Sequence, residues 1–348
     1  MLSRTGQGSL SIATIRDVAE QVGVASSTVS RALSGHPYVD EALRARIVYA
    51  ARKLGYRPNA LARALRMQST RTLGLIIPDI RNDFFAECAT VLQGALEERD
   101  FRLILCISGN NPTSDRSYVR TLVEHRVDGI VHVPSAPTSV QELDADGQHT
   151  PLVEFLRHTP GSPFDAVVTD DREGAAALTR HLVALGHRRI AMITGPEAFS
   201  TTRYRVQGFR DALAGVVGAE GSVLYGTYYP PYGYQATCEI AAGASRPTAI
   251  FSSGSPLTVG VLRALSEAKL RVPNDLSLVA YEDPEWYAGA NPPLTCYTLP
   301  LRQMGRVAAE LILSRLGDAA TVNGKQPTTL RFSGHMIVRA STAPPPAA

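Results

Sequence analysis

The 348-residue sequence has few cysteines and no long apolar run. Its four cysteines, Cys88, Cys106, Cys238 and Cys296, are scattered and form no C-x-x-C pair. This spacing indicates neither a zinc site nor a disulfide-stabilised secreted domain. No apolar stretch approaches the length of a membrane span, and the start MLSRTGQGSL lacks the pattern of a signal peptide. We therefore expect reduced thiols in a cytoplasmic protein that does not contact membranes.

The common catalytic motifs are also missing. We find no G-x-G-x-x-G after a predicted strand, no P-loop, no G-x-S-x-G and no H-E-x-x-H, and the eight histidines are dispersed. Glu282 and Asp283 could form an acid/base pair, but adjacent residues at a strand end point in different directions. We therefore predict a binding protein with no catalytic residue, metal or cofactor, and an α/β enzyme is the alternative.

Positive charge is concentrated at the amino end. Residues 1–71 contain eleven Lys and Arg and four Asp and Glu, a net charge of +7, and the rest of the chain has a net charge of −4. A basic segment joined to a mildly acidic body is typical of a module that binds a polyanion. A basic surface that only improves solubility is the alternative interpretation.

Three helices are predicted in residues 14–54. Thr14 and Asp17 have the spacing of a capping box, and apolar residues then recur at helical intervals up to Gly23, a turn residue. A second helix is predicted from Ser26 to Leu33. The third begins after the N-cap candidate Asp40 and stops at Gly55.

The second helix has two different faces. At about 100° per residue, Val29, Ala32 and Leu33 form an apolar side, whereas the opposite side is short and polar with one long cation, Arg31. Such a face can approach a groove floor closely, and an arginine can bind a guanine edge with two hydrogen bonds. The helix, glycine turn and helix arrangement therefore favours DNA recognition over an ordinary solvated helix face.

The stretch "TIRDVAEQVGVASSTVSRALSGHPYVDEALRARIVYAARKLGYRPNALARAL" resembles the head of the lactose repressor (LacI/GalR) family of bacterial transcription regulators. The resemblance implies base contacts from Ser26, Ser27 and Arg31. Ala25 departs from the family, which commonly has a capping Ser there, so Ser26 is an alternative helix cap. The predicted DNA-contacting residues are Thr14, Ser26, Ser27, Thr28, Ser30, Arg31, Ser34, Asn59 and Leu65.

Residues 58–71 are predicted to be a hinge helix and linker. Asn59 can cap a short helix that is too short to be stable alone. The resemblance implies that this helix is ordered when two copies pack on DNA, with Leu65 inserted as a wedge into the minor groove. The alternative is a simple helix contact between Leu61 and Leu65.

The remaining chain alternates short apolar runs with helical patterns, which is typical of parallel sheets covered on both faces. Segments such as "GLIIPDIRNDFF" and "VPNDLSLVAYED" resemble the periplasmic-binding-protein-like core of the same family. The fold class is therefore a small all-α helix-turn-helix head plus a two-lobed α/β core. We expect domains at 14–57 and 72–342, with disordered ends at 1–13 and 343–348. The predicted strands are 73–78, 102–107, 129–134, 166–170, 189–194, 249–253 and 276–282, and predicted helices include 84–99, 171–185, 200–214 and 256–269.

Ligands of open α/β sheets bind beyond the carboxyl ends of the strands. Asp79 and Phe84 follow the first strand, and Phe85 fits the core stripe better than a ligand role. The resemblance implies that Arg205, Tyr228 and Glu282 contact the effector, although a surface ion pair is an alternative for Arg205. Departures from the family lie at Glu282, where it usually has Asp, and at Ser253, Gly254 and Ser255, which replace an Asn-Asp pair. The predicted effector-binding residues are Asp79, Phe84, Asp171, Arg205, Tyr228 and Glu282.

These features together predict a homodimeric transcription regulator that represses genes from a near-palindromic double-stranded DNA operator. A small molecule, a sugar or a related polar metabolite, is expected to bind between the lobes and control operator affinity. The protein would occupy the bacterial cytoplasm and the nucleoid when bound. Two alternatives remain: a sequence-neutral architectural DNA binder, and an α/β enzyme with an accessory DNA-binding head.

Overall fold

The computed structural model describes residues 13–56, 69–135, 150–243, 245–317 and 326–346. They belong to two compact units, one ending at Thr70 and one beginning at Arg71. Most of the predicted amino-terminal extension and hinge, with Asn59 and Leu65, lies outside the described residues, as do residues 347 and 348.

The amino-terminal unit contains the three predicted helices. They are α1 (Ile15–Val22), α2 (Ser26–Leu33) and α3 (Glu41–Lys53). Val18, Val29 and Ile47, one from each helix, are fully buried in a shared core. Because each helix is too short to be stable alone, this core holds the three together.

The helix ends of this unit have the predicted caps. The backbone N–H of Thr14 donates to Oδ2 of Asp17 at 2.7 Å, and Gly23 ends α1 in the left-handed conformation with φ of +76°. Oδ1 of Asp40 accepts from the N–H of Leu43 at 3.0 Å and caps α3. The left-handed turn at Gly23 redirects the chain between α1 and α2, and the Asp40 cap sets the start of α3.

Strands and helices alternate along the described part of the larger unit. In chain order they are β1 (Thr72–Ile77), α4 (Asp83–Glu97), β2 (Arg102–Ile107), α5 (Pro112–Glu124), β3 (Gly129–His132), β4 (Leu152–Leu156), β5 (Asp165–Thr169), α6 (Asp171–Ala184), β6 (Arg189–Thr194), α7 (Ser200–Leu213), β7 (Glu220–Tyr225), α8 (Pro230–Ala242), β8 (Ala249–Ser252), α9 (Ser255–Glu267), β9 (Ser277–Tyr281), α10 (Trp286–Gly289), β10 (Thr295–Thr298), α11 (Leu301–Gly317), β11 (Thr329–Phe332) and β12 (His335–Ile337).

The strands form two six-stranded sheets, and each defines a lobe. The first lobe has the order β11-β5-β4-β3-β1-β2 and is parallel throughout; the second has the order β12-β10-β9-β8-β6-β7, in which only β12 is antiparallel. In each sheet the second strand lies on one side of the first strand and the later strands lie on the other side, as in doubly wound folds. The two-lobed parallel architecture predicted from the sequence is confirmed.

The chain passes between the lobes at three points. After β5 it enters the second lobe, where Leu178 of α6 packs in the core. After β10 it returns, because Met304 of α11 packs against the first sheet. It crosses again between β11 and β12. Each lobe is therefore completed by carboxyl-terminal segments, and the two cannot separate as independent chain halves.

All seven predicted strands are present within two residues of their expected ends. Five strands were not predicted: β4, β7, β10, β11 and β12. Glu154 interrupts the apolar run of β4 but is itself buried. β7 lies at a sheet edge with a partly exposed face, so its sequence is mixed in polarity.

The carboxyl-terminal segment is ordered further than predicted. The carbonyl oxygen of Ala343 accepts from Nε2 of His187 at 2.9 Å and from Oγ of Ser277 at 3.0 Å. The predicted disordered tail at 343–348 is therefore wrong for Ala343, because these bonds attach it to the second lobe. No helix within the described ranges is long and apolar enough to cross a membrane.

Candidate functional site

The outer face of α2 is short, polar and accessible. Ser27, Arg31 and Ser34 are exposed, whereas Val29 and Ala32 on the inner face are buried. Ser26, Thr28 and Ser30 are half-buried at the margin of the outer face. The predicted division of the helix into a core side and a polar side is therefore present.

The sequence left Ser26 as an alternative cap for α2, but the helix begins differently. Ala25 occupies the N-cap position and makes no side-chain cap, and Ser26 is the first helical residue. The backbone carbonyl of Ala25 accepts from the N–H of Thr28 at 2.9 Å. Ser26 does not take over as the cap, so its hydroxyl is not used for capping.

Two predicted DNA-contacting hydroxyls already have partners in the head. The hydroxyl of Thr14 donates to Oδ2 of Asp17 at 3.0 Å, and that of Ser34 donates to the carbonyl of Arg31 at 3.1 Å. Among the described residues, the guanidinium of Arg31 has no hydrogen bond or ion pair. Arg31 is thus the side chain of this face most available to a partner.

Sequence reasoning missed an exposed aromatic residue beside this face. Tyr38, in the turn between α2 and α3, is 91% exposed. Its ring lies 5.5 Å from the ring of His36. The sequence does offer a signal: two bulky rings, His36 and Tyr38, stand close together in a turn, outside the apolar stripes of the helices.

A cavity of about 450 Å³ lies between the carboxyl ends of the two sheets. Five of the six predicted effector residues line it: Asp79, Phe84, Arg205, Tyr228 and Glu282. Its volume is within the range of small-molecule sites. Lining residues absent from the prediction include Asn82, Asn110, Arg157, Thr201, Ser255 and Trp286.

The sixth predicted residue, Asp171, lies behind the cavity wall. Its Oδ1 accepts from Nε of Arg205 at 2.7 Å, and both side chains are buried. The Arg205 guanidinium also lies 3.8 Å from the ring centre of Tyr281. The surface ion pair considered for Arg205 is wrong, because the pair is internal. Asp171 orients Arg205 and does not reach the cavity.

Glu282 is held by the segment that departs from the family pattern. Its Oε2 accepts from the backbone N–H of Ser255 at 2.9 Å, and the carbonyl of Ser253 accepts from Nη1 of Arg205. Burial raises the pKa of Glu282, and the positive charge of Arg205 opposes that rise. The Ser253–Ser255 segment therefore positions both charged residues through its backbone.

Aromatic rings form a second part of the wall. The rings of Tyr228 and Phe199 are stacked with centres 6.2 Å apart, and the hydroxyl of Tyr228 lies 3.1 Å from that of Thr202. Phe84 is half-buried beside the cavity, and Phe85 packs in the first-lobe core as predicted. Flat apolar faces of this kind can stack on the C–H faces of a sugar or on a base.

The lobes also touch each other at the cavity. Oγ of Ser255 in the second lobe lies 3.4 Å from Oδ1 of Asn82 in the first, and the N–H of His158 donates to Oγ of Ser200 at 3.1 Å. Asn82 also caps α4 by accepting from the N–H of Phe84. Asn82 and Ser255 both line the cavity, so a ligand that replaces the bridge between them would change how the lobes meet.

Comparison with known proteins identifies the chain. Residues 14–59 match the family described as "Bacterial regulatory proteins, lacI family", and residues 179–342 match the "Periplasmic binding protein-like domain". The HTH-type transcriptional repressor PurR of Edwardsiella ictaluri is 32% identical over 339 residues, which cover 96% of this chain and 98% of that protein. The chain belongs to the lacI family of bacterial regulatory proteins.

Further similarities extend over most of this lacI-family chain. The ribose operon repressor of Escherichia coli K12 is 31% identical over 319 residues, 88% of this chain and 93% of that protein. The fold matches the lac repressor dimer bound to operator with a TM-score of 0.83, 22% identity, and coverage of 95% of this chain and 99% of that one. The lacI-family chain is therefore a DNA-binding transcription regulator and not an enzyme.

Proposed function

We propose that this regulator represses transcription as a homodimer on a near-palindromic operator, and that a polar, sugar-like metabolite in the cavity sets its operator affinity. The observation that carries the proposal is the placement of Arg205 and Glu282 in one cavity between two lobes, in a chain that also has an exposed polar recognition helix. One unit supplies DNA binding and the other supplies ligand binding.

In the head, Ser26, Ser27 and Arg31 would contact base edges. Arg31 supports this role because it is exposed and its donors are uncommitted within the described residues. The hydroxyls of Thr28 and Ser30 would bind phosphates, and those of Thr14 and Ser34 would do so by turning their hydrogens away from Asp17 and from the Arg31 carbonyl. Asn59 and Leu65 retain their proposed roles as hinge cap and minor-groove wedge. Tyr38 joins the set as a further phosphate contact, since its hydroxyl is exposed beside α2.

In the cavity, Arg205 and Glu282 would bind hydroxyl groups of the effector. The two side chains are fixed by Asp171 and by the N–H of Ser255, so they lose little conformational freedom on binding. Phe84 and Tyr228 would stack on the ring, and Asp79 would accept a further hydroxyl. One relative, which matches over 88% of this chain, is named a ribose operon repressor, and that name supports a sugar-like ligand.

Homodimer formation is supported by the edge of the first sheet. β2 is the outermost strand, and its Ile104, Leu105 and Ile107 are each about 40% exposed. An exposed apolar edge strand tends to pair with another chain. The similarly folded lac repressor is described as a dimer bound to operator. Two heads in one dimer would read two operator half-sites.

Effector binding would act by changing the contact between lobes, and through it the pairing of the two hinges. A ligand that weakens operator affinity about tenfold must bind the operator complex about tenfold more weakly, a coupling of about 1.4 kcal/mol. The protein would work in the bacterial cytoplasm, at the nucleoid when bound to its operator.

The proposal is tested by selecting fragments of sheared genomic DNA from the source bacterium. Wild type, Arg31→Ala and Lys53→Ala are compared, because both variants remove one positive charge but only Arg31 lies on α2. We expect wild type and Lys53→Ala to enrich the same few near-palindromic fragments and Arg31→Ala to lose that enrichment. Even recovery of the genome by all three proteins would instead support a sequence-neutral architectural binder.

A further inference from the structure

Arg157 is a buried cation in the cavity wall that the roles assigned so far do not use. It follows β4 in the first lobe, lines the cavity and is only 5% exposed. Its guanidinium lies 3.9 Å from the ring centre of Phe199, which is stacked on Tyr228. Burial lowers the pKa of Arg157 to about 10, so the side chain carries its charge at neutral pH.

No carboxylate forms an ion pair with Arg157 within the described residues, although Asp115 and Asp171 lie near enough to favour its charge. Nη1 of Arg157 donates to Oδ1 of Asn110 at 2.8 Å and to the carbonyl of Pro134 at 3.2 Å. Both of these acceptors are neutral. The Nε and Nη2 atoms, with three N–H groups between them, have no hydrogen-bond partner in the part of the chain that the structure describes. A nearly buried guanidinium with three spare donors at a cavity wall favours a ligand that brings an anionic group to it.

The other two cavity arginines have partners. Arg205 is paired with Asp171, and Arg81 makes two hydrogen bonds to the carboxylate of Asp79, at 3.0 and 2.8 Å. Arg157 is therefore the one charged arginine among the described lining residues without a carboxylate partner. The charge of an incoming ligand group would compensate it.

We propose that the effector carries an oxyanion, a carboxylate or a phosphate ester, on a polyol body, and that Arg157 binds this group through Nε and Nη2. The inference rests on the proposed function, since it names the chemical class of ligand that the cavity takes. A planar guanidinium edge matches two oxygens of a carboxylate or phosphate.

The rest of the cavity fits the remainder of such a molecule. Glu282, on the wall contributed by the second sheet, accepts hydroxyl donors and would repel an oxyanion placed beside it. A ligand with its anionic end at Arg157 and its hydroxyls at Glu282 and Ser255 meets complementary groups at both ends. A neutral sugar would leave Nε and Nη2 of Arg157 without an anionic partner.

The test is isothermal titration of the full-length protein with three matched groups of probes. The acidic group contains aldonates and uronates of five and six carbons, and the ester group contains the corresponding sugar phosphates. The neutral group contains the parent sugars and purine bases. Inorganic phosphate and acetate are included to detect binding of the anion without the polyol. Operator affinity is measured with each probe in the same buffer.

Two variants distinguish ligand binding from a structural role of Arg157. Arg157→Met removes the charge. Asn110→Asp keeps Arg157 and places a carboxylate at the position that now lies 2.8 Å from Nη1, so it neutralises the guanidinium without removing its bonds. We expect both variants to bind the acidic or phosphorylated ligand about tenfold to a hundredfold more weakly. Because Asn110 lines the cavity, a loss in Asn110→Asp alone could come from repulsion by the new carboxylate. If Arg157 were purely structural, the folded Arg157→Met protein would bind the ligand as tightly as wild type.

The results separate failure of this inference from failure of the proposed function. Binding of an acidic sugar or a sugar phosphate by wild type, with the loss in both Arg157→Met and Asn110→Asp, supports the inference, and the active probe group identifies the anion. A neutral sugar or purine that binds and alters operator affinity equally in wild type and Asn110→Asp overturns the inference and leaves the proposed function standing. If no probe binds and none changes operator affinity, both are contradicted.

Discussion

The Nε atom of Arg205 lies 2.7 Å from Oδ1 of Asp171, and both side chains are buried beside the point where the chain first crosses between lobes. The other oxygen of Asp171 accepts from the hydroxyl of Thr169, the last residue of β5, at 2.8 Å. Thr169 and Arg205 both line the cavity. A ligand bound to Arg205 is thus one ion pair away from a crossover segment that links the lobes.

Removing Arg205 should destabilise the large unit strongly. In Arg205→Met the Asp171 carboxylate stays buried without its cation, at an expected cost of about 3 kcal/mol or more in the free energy of unfolding. Arg172→Met is the matched control, because Arg172 pairs with Asp211 at 2.6 Å but the side chains are 54% and 44% exposed. Its cost should be below about 1 kcal/mol. Urea denaturation measures both, and equal losses would contradict a special role for burial.

Glu154 should make stability depend on pH. Burial raises its pKa to about 7 from an ordinary 4.5, although the N–H of Thr159 donates to Oε2 at 3.0 Å. Because the folded state holds the proton more tightly than the unfolded state, this contribution is favourable below about pH 4.5 and is lost as pH rises to about 7. Glu154→Gln cannot titrate, so its stability relative to wild type should rise by up to about 3 kcal/mol over that range. A constant difference across the range would contradict the prediction.

Gly208 permits the close contact between α6 and α7. A Cβ at this position would lie 1.9 Å from the backbone carbonyl oxygen of Arg172. Because that oxygen belongs to the backbone, no side-chain rotation can relieve the clash. Gly208→Ala should therefore cost about 3 kcal/mol by forcing the helices apart. Gly94→Ala in α4 is the control, since nothing lies within 4 Å of a Cβ there. It should stabilise the protein by up to about 1 kcal/mol. Thermal unfolding of the two variants distinguishes them, and similar shifts would refute the packing argument.

Periodicity predicted the helices of the head and the strands whose apolar runs are unbroken. It failed for β4, where Glu154 is buried next to His132 of the neighbouring strand. A buried carboxylate is stabilised by contacts distant in sequence, and no local pattern reveals them. The same limit applies to short edge strands such as β12, which alternate weakly and depend on their neighbours.

The cavity was predictable where residues follow strand ends, because parallel strands bring those ends together. Asp79 and Glu282 are examples. Arg157 also follows a strand, but β4 itself was not predicted, so nothing marked this arginine as internal. Asp171 was assigned to the ligand although it lies behind Arg205. Position in the sequence correctly placed Asp171 near the cavity. Only the structure shows that Arg205 lies between Asp171 and the cavity.

The measurement that bears most directly on the function is a fluorescence-anisotropy titration of one selected near-palindromic fragment against a scrambled duplex of equal length and base composition, at one fixed salt concentration. Sequence recognition by α2 predicts that wild type prefers the selected fragment by about 10³-fold or more. In Arg31→Ala the preference should fall by about tenfold to a hundredfold, with little change on the scrambled duplex. Equal affinities of wild type for the two duplexes would contradict sequence-specific regulation by this protein.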